Sequence, residues 1–256
     1  MDSTKLSQKQ IDLIKTIYRF RFLTSIQLQQ LFTNIPQRTL NYNLKHLYSN
    51  NYINRHYSRS DKDTFNPAIY FLNTQSINVL KSLNPKDSGI NKRVYNEKYR
   101  SQTFVSGQIE LANYFLYLSQ KVKDQKASLD YFTEIDLIGS TLFIKPYPHV
   151  YFKRVDSLGE ESHFIFEYLH GDTTRAAIIT LIQRLGRQFE SERFQKKLQI
   201  QFPSILIMCE TQRVKKRLNT ELVKRNDSLQ ISTETIFMAT KDEAYKGEWS
   251  PVVDKD

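Results

Sequence analysis

The chain has 256 residues, 39% of them hydrophobic, with 16 Phe and 15 Tyr, so it can bury a real core and is neither globally disordered nor fibrous. Its formal charge is +10, and the excess is local: residues 1–95 hold 14 Lys/Arg against 5 Asp/Glu, whereas residues 96–256 hold 23 against 22. A generally basic, solvated protein would spread that excess over both halves; its concentration before Glu97, the first glutamate, points to a polyanion-facing module joined to a nearly neutral one.

Leu6, Ile11, Leu13, Ile14 and Ile17 form an uneven apolar face that predicts a first helix over residues 6–19. Thr24 precedes SIQLQQLF and Gln27 follows three residues later, the capping-box spacing, so a second helix starts there, with Ile26, Leu28, Leu31 and Phe32 as its apolar contacts. Pro36 suits the first turn of a third helix. In that helix Leu40, Leu44 and Leu47 recur at i, i+4 and i+7 and mark a buried stripe. The opposite face carries Arg38, Asn41, Tyr42, Lys45 and Ser49, with His46 at its edge, and has no carboxylate.

After Asn50-Asn51 the period becomes that of a strand, from Tyr52 to Tyr57, followed by the polar loop SRSDKDTFNP and a second strand-like run over residues 68–72. Helix, hairpin and loop tip in this order describe a winged helix-turn-helix, in which one helix enters the major groove of DNA and the hairpin lies along the backbone. On that reading Arg38 donates two hydrogen bonds to a guanine edge and Asn41 pairs with adenine. Tyr42 stacks, touches a thymine methyl or covers the core, and Lys45 and His46 complete the face. Arg55, His56 and Arg59 neutralise phosphates. Arg59 and Lys62 lie in the loop, where Asp61 and Asp63 partly cancel them, so the helix carries more weight than the wing.

Thr74 is placed to cap a further helix through Ile77, Leu80 and Leu83, which could close the domain or supply a homodimer seam. Residues 84–93, NPKDSGINKR, have turn formers and no apolar rhythm, which divides the chain into a winged-helix domain over 1–90 and an α/β domain over 91–256. The second half opens with a long helical pattern over about residues 97–121. Strand candidates follow at 131–135, 141–144, 150–155 and 164–169, then a helix over 173–194, the apolar strand 204–209, a basic-surfaced helix over 213–225 and a last strand at 235–238. An α/β or α+β domain with a mixed central sheet satisfies this order. The tail EWSPVVDKD is short, with Trp249 placed to pin it to the second domain.

The second half shows no GxxxxGK[ST], no dinucleotide glycine fingerprint, no HExxH and no paired CxxC, so no catalytic residue, metal or cofactor is assigned. Five scattered histidines and one cysteine, Cys209 in the apolar run SILIMC, argue against structural zinc and leave a buried thiol of a cytosolic core. Strand ends at Glu134, Asp136 and Glu167, with Asp172 just beyond, could gather into a magnesium site for phosphodiester cleavage; the alternative is solvent exposure or pairing with Arg154, Arg175 and Arg184. Tyrosines are plentiful, but no paired histidines at metal-ligand spacing accompany them as in a tyrosine relaxase. No signal peptide or run of roughly 18 apolar residues is visible, so a cytoplasmic protein without membrane partners is expected.

The segments RFLTSIQLQQLF, RTLNYNLKHLYSNNYINR and YFLNTQSINVL resemble the winged-helix part of the replication-relaxation family, proteins encoded largely on bacterial plasmids, phages and integrative elements. The resemblance implies a double-stranded DNA-binding protein of a mobile element, acting in plasmid replication control, DNA relaxation and mobilisation, or transcription, with replication or relaxosome proteins as partners. It extends into the second half as a likeness to a degenerate restriction-endonuclease-like domain, whose pattern is a proline-aspartate on one strand and a glutamate on the next. Pro148 meets the proline, His149 stands in place of the aspartate, Glu167 meets the glutamate, and Leu169 stands where an active nuclease has lysine. Both departures count against cleavage, and a magnesium-dependent endonuclease remains the alternative reading.

Overall fold

A computed structural model describes residues 6–56, 67–85, 87–225 and 233–253. The chain is mixed α/β and falls into two compact units, Met1–Leu116 and Tyr117–Asp256.

The first unit begins with α1 (Gln8–Phe20), started by a reciprocal Ser7/Gln10 capping box. The two-residue strand β1 (Leu23–Thr24) leads into α2 (Ser25–Leu31). There the Thr24 hydroxyl accepts from the Gln27 amide at 3.1 Å and the Thr24 amide donates to Gln27 Oε1 at 2.9 Å, the box the sequence spacing indicates. The Gln27 side-chain amide also reaches Ile109 O at 2.8 Å and Asn113 Oδ1 at 2.7 Å, so one residue caps α2 and ties it to a later helix. Next come α3 (Gln37–Ser49), with Pro36 at its N-cap, then β2 (Ile53–His56) and β3 (Ile69–Leu72). Strand β3 lies between β1 and β2, antiparallel to both. The core of this unit includes Leu13, Ile14, Ile17, Phe22, Leu28, Leu40, Leu44 and Leu47, all buried.

Helices α4 (Ser76–Leu83) and α5 (Ile90–Glu97) follow, and then α6 (Gln102–Asp124). At the start of α4 the Asn73 carbonyl accepts from the Ser76 amide and hydroxyl, a job the sequence gives to Thr74. Residues 84–93 are expected as a bare boundary, and several of them are exposed, but the stretch also holds contacts to the first unit. Ile90 and Val94 are buried, and Asp87 accepts from Tyr18 Oη at 2.6 Å and pairs with Arg93. The helical pattern expected over 97–121 is broken after Glu97, whose buried carboxylate pairs with Arg21 Nε at 2.8 Å. Phe104 lies under both Arg21 and Arg100, with guanidinium carbons 4.5 and 4.6 Å from its ring centre. These contacts, with the Gln27 bonds, place the first half of α6 in the first unit, which accordingly ends at Leu116.

The second unit holds a six-stranded mixed sheet in the order β4-β5-β6-β7-β8-β9. Its strands are β4 (Ser128–Thr133), β5 (Val150–Val155), β6 (Glu161–Leu169), β7 (Ser204–Cys209), β8 (Ile236–Thr240) and β9 (Ser250–Pro251). The β6–β7 and β7–β8 pairs are parallel and the others antiparallel. Between them run α7 (Arg175–Glu190), α8 (Arg193–Leu198), α9 (Gln212–Val223) and α10 (Lys241–Lys246). The helix expected over 173–194 is divided at Glu192, whose φ is 51°. Residues 141–144 are not a strand, because side chains satisfy their backbone. Gln188 accepts from Ile144 N at 2.7 Å and donates to Leu142 O at 2.8 Å, while Arg193 donates to Phe143 O at 2.9 Å. The tail is held where β9 pairs with β8 and Trp249 meets Phe166 edge-on at 6.3 Å. Among the described residues, no helix is long and apolar enough to cross a membrane.

Burial pushes the Glu97 carboxyl above its ordinary range, with Arg21 pulling back only in part. Replacing Glu97 with alanine removes the buried acid that meets the Arg21 guanidinium, and we expect a loss of about 3–5 kcal/mol in stability of the first unit. Amide hydrogen exchange along α1 and α3 would register it; exchange as slow as in the parent protein would show that the pair carries no such weight.

Candidate nucleic-acid interface

Helix α3 turns three leucines inward, and the face left outside is the one the sequence singles out. Arg38, Asn41, Tyr42, Lys45 and Ser49 are all exposed, Tyr42 by 67%. From Arg38 to Lys45 is two turns, roughly 10 Å at 1.5 Å per residue. Neither cation forms an ion pair with any described residue. Asn41 is not idle: its Oδ1 accepts from Gln37 Nε2 at 2.9 Å, an exposed bond that a base edge would have to replace. Gln37 therefore belongs with this face, and its i, i+4 spacing from Asn41 is the signal that could have found it.

His46 sits differently. It is half-buried, and Gln10 Nε2 donates to its Nδ1 at 3.2 Å. Gln10 Oε1 is committed to Ser7 N at 2.9 Å, which fixes Nε2 as the group facing the ring and makes Nδ1 the acceptor. His46 thus braces α3 against α1, leaving the ring's other nitrogen for any outward contact.

On β2, Arg55 and His56 are exposed. The Arg55 guanidinium lies over Tyr48, 4.5 Å from the ring centre, which couples the strand to the last turn of α3. His56 stacks on Phe71 with 4.6 Å between ring centres. The structure brings Arg38, Asn41, Tyr42 and Lys45 together on one face and sets Arg55 against that helix's end. Arg59 and Lys62 lie outside the described residues. Tyr48, which holds Arg55, was not singled out by the periodicity, since contact between a helix end and the next strand leaves no trace in spacing.

The candidate carboxylates of the second unit have other engagements. Glu167 on β6 is 1% exposed, with Oε2 2.8 Å from His149 Nδ1 and Oε1 bonded by Arg184 of α7. Arg184 also donates to Tyr147 O at 3.0 Å. Burial opposes the Glu167 charge, but Arg184 and His149 outweigh it and hold the carboxyl below its ordinary range. Burial likewise opposes a charged His149, and Glu167 outweighs it and raises the imidazole. The Tyr168 amide also points at His149 Nδ1, at 3.2 Å, so a neutral ring accepts from the backbone whereas a charged one donates to Glu167. Asp136 accepts from Thr133 N at 2.8 Å, and Asp172 is exposed. Among the described residues, no group of three or more His, Cys, Asp or Glu is arranged to hold a metal ion.

In comparisons with protein-family models, curated proteins and solved structures, the chain matches none.

The ion triad gives the second unit a pH window. The stabilisation from His149 is complete below its unfolded value of about 6.5 and is lost as pH rises through its raised folded value. That from Glu167 is present above its unfolded value and lost as pH falls through its depressed folded one. Because the His149 side chain is 39% exposed, its share is small. We expect the imidazole resonances of His149 to titrate above the ordinary histidine range, and Glu167→Gln to move that midpoint down. An unchanged midpoint would mean that the carboxylate does not hold the proton.

Proposed function

We propose that the first unit binds double-stranded DNA, with α3 reading base edges in the major groove and β2 following the phosphates. The observation that carries this reading is the exposed face of α3: two cations, two side-chain amides and an aromatic over two helical turns, with no acid among them. A major groove about 12 Å wide admits one helix, and arginine and asparagine are the side chains that pair bidentately with guanine and adenine. Three helices and a strand pair whose sheet β1 completes by pairing with β3 fit a winged helix, the arrangement that places a third helix in this way. The charge partition supports it, since residues 1–116 carry 16 Lys/Arg against 7 Asp/Glu whereas the remainder is nearly balanced.

The resemblance to the replication-relaxation family adds a setting, a mobile genetic element, in which such a protein would act in replication control, mobilisation or transcription. One α3 spans few base pairs, so a homodimer on paired half-sites is the arrangement that would add specificity. The nuclease alternative gains nothing from the second unit's geometry. Both oxygens of Glu167 face cationic partners, which a divalent ion would have to displace.

Titration of the intact protein against duplex fragments tiled over its encoding element, at about 0.15 M salt and with and without magnesium, tests this reading. Discrete protection without strand scission is the expected result, and no duplex binding, or magnesium-dependent cuts, would reject it. On a preferred site, Lys45→Ala should weaken specific and random duplexes alike and reduce the salt slope by about one. Arg38→Ala should cost about 1–3 kcal/mol and relax preference at one position. Equal losses on both duplexes for both variants would reject the division of labour.

A further inference from the structure

A second surface of the first unit has a chemistry that α3 does not use. Helix α5 and the turn after it present Lys92, Tyr95, Lys98 and Tyr99 to solvent, the two rings being 53% and 66% exposed. The ring centres are 5.8 Å apart, and Lys98 Nζ lies 5.0 Å from one and 4.6 Å from the other. The bond from Lys98 holds the Tyr99 phenol below its ordinary range, as expected of a cation seated against the oxygen. The turn is fixed, since Tyr99 N donates to Asn96 O at 3.0 Å and Arg100 N to Glu97 O at 3.2 Å. Spaced four residues apart, the two rings lie on one side of the helix end and form one continuous aromatic surface.

Along this stretch the exposed charges are of one sign, and Asp87 just before it is taken up by Arg93 and Tyr18. Between residues 88 and 116 the acids are Glu97 and Glu110, both buried, the first against Arg21, while Lys92 and Lys98 are exposed. Such a surface disfavours a cationic partner and favours an anion with flat faces. Nucleic acid combines a phosphate chain with planar bases, and base–aromatic stacking flanked by lysines is how unpaired strands are held. In an intact duplex the base faces are covered by their neighbours, so rings standing out on a helix end have nothing there to stack upon.

We propose that Tyr95 and Tyr99, flanked by Lys92 and Lys98, form a stacking platform for the unpaired bases of single-stranded nucleic acid, separate from the duplex-reading face of α3. The inference rests on the proposed function only in giving the first unit a nucleic-acid partner.

The test uses the full chain, a fluorescein-labelled oligothymidylate, and a strand of equal length and phosphate count built from abasic sites. The parent protein should bind the oligothymidylate more tightly than the abasic strand. The double variant Tyr95→Leu, Tyr99→Leu should lose about tenfold or more of that affinity, from the stacking expected per base, while Tyr95→Phe, Tyr99→Phe keeps it. Duplex binding should be unchanged in both, and Arg38→Ala should leave oligothymidylate binding intact. Equal binding of the two strands, parent-like affinity in the leucine variant, or no strand binding at all would overturn the proposal. So would self-association of the parent protein that the leucine pair abolishes without any strand binding, which would mark a protein–protein surface. Loss of duplex binding with the strand binding intact would instead remove the reading of α3 and leave this one standing.

Discussion

The orientation of α3 follows from one constraint: Leu40, Leu44 and Leu47 must leave water together. Burial of a leucine side chain is worth about 1.5–3 kcal/mol, so three outweigh a helix cap or an exposed side-chain bond of about 1 kcal/mol. With 100 degrees between successive residues, that burial leaves Arg38, Asn41, Tyr42 and Lys45 no direction but outward. The other features of the unit keep the stripe in place. The Gln27 bonds fasten α2 to α6, and His46 braces α3 through Gln10. The apolar interior thus aims the polar face.

The second unit solves a different problem with the same physics. A carboxylate buried in the sheet costs several kcal/mol unless its charge is met, and Glu167 is met on both oxygens. The guanidinium of Arg184 has a second anchor at Tyr147 O, which reduces its freedom to leave. Chemistry at Glu167 would first have to break this arrangement, and among the described residues no group of three or more His, Cys, Asp or Glu is arranged to hold a metal ion. Its geometry is that of a joint between β6, α7 and the approach to β5.

What could be read from the sequence was whatever repeats or is spaced locally. The Thr24–Gln27 box, the leucine stripe of α3, the strands 150–155 and 204–209 and the mixed central sheet are all carried by period and by caps. The misreadings have a common physical origin in long-range satisfaction of polar groups. Residues 141–144 look like a strand because they are apolar, yet Gln188 and Arg193 take the bonds a neighbouring strand would have made. Residues 84–93 look like a linker because they are polar, yet Asp87 and Arg93 bond to Tyr18, some 70 residues earlier in the chain. At the candidate interface, the outward residues of α3 were legible from period alone. The Arg55–Tyr48 stack and the Gln37–Asn41 bond were not, since both depend on where side chains end up.

Little of the net charge of the first unit resides on the outward face of α3. Arg21 and Arg100 approach Glu97, and Arg93 is engaged by Asp87, so three of the sixteen cations compensate acids. On α3 the exposed Lys and Arg are Arg38 and Lys45. Non-specific DNA binding grows with the number of phosphates neutralised, and two cations give little of it. On the proposed reading, the amides and Arg38 would compare base edges, Lys45 would add one phosphate contact, and the rest of the general affinity would come from cations outside α3. If α3 enters a DNA groove as proposed, cations elsewhere on the unit would raise the encounter rate while adding little to the difference between one sequence and another, because long-range attraction to phosphates is the same for every sequence.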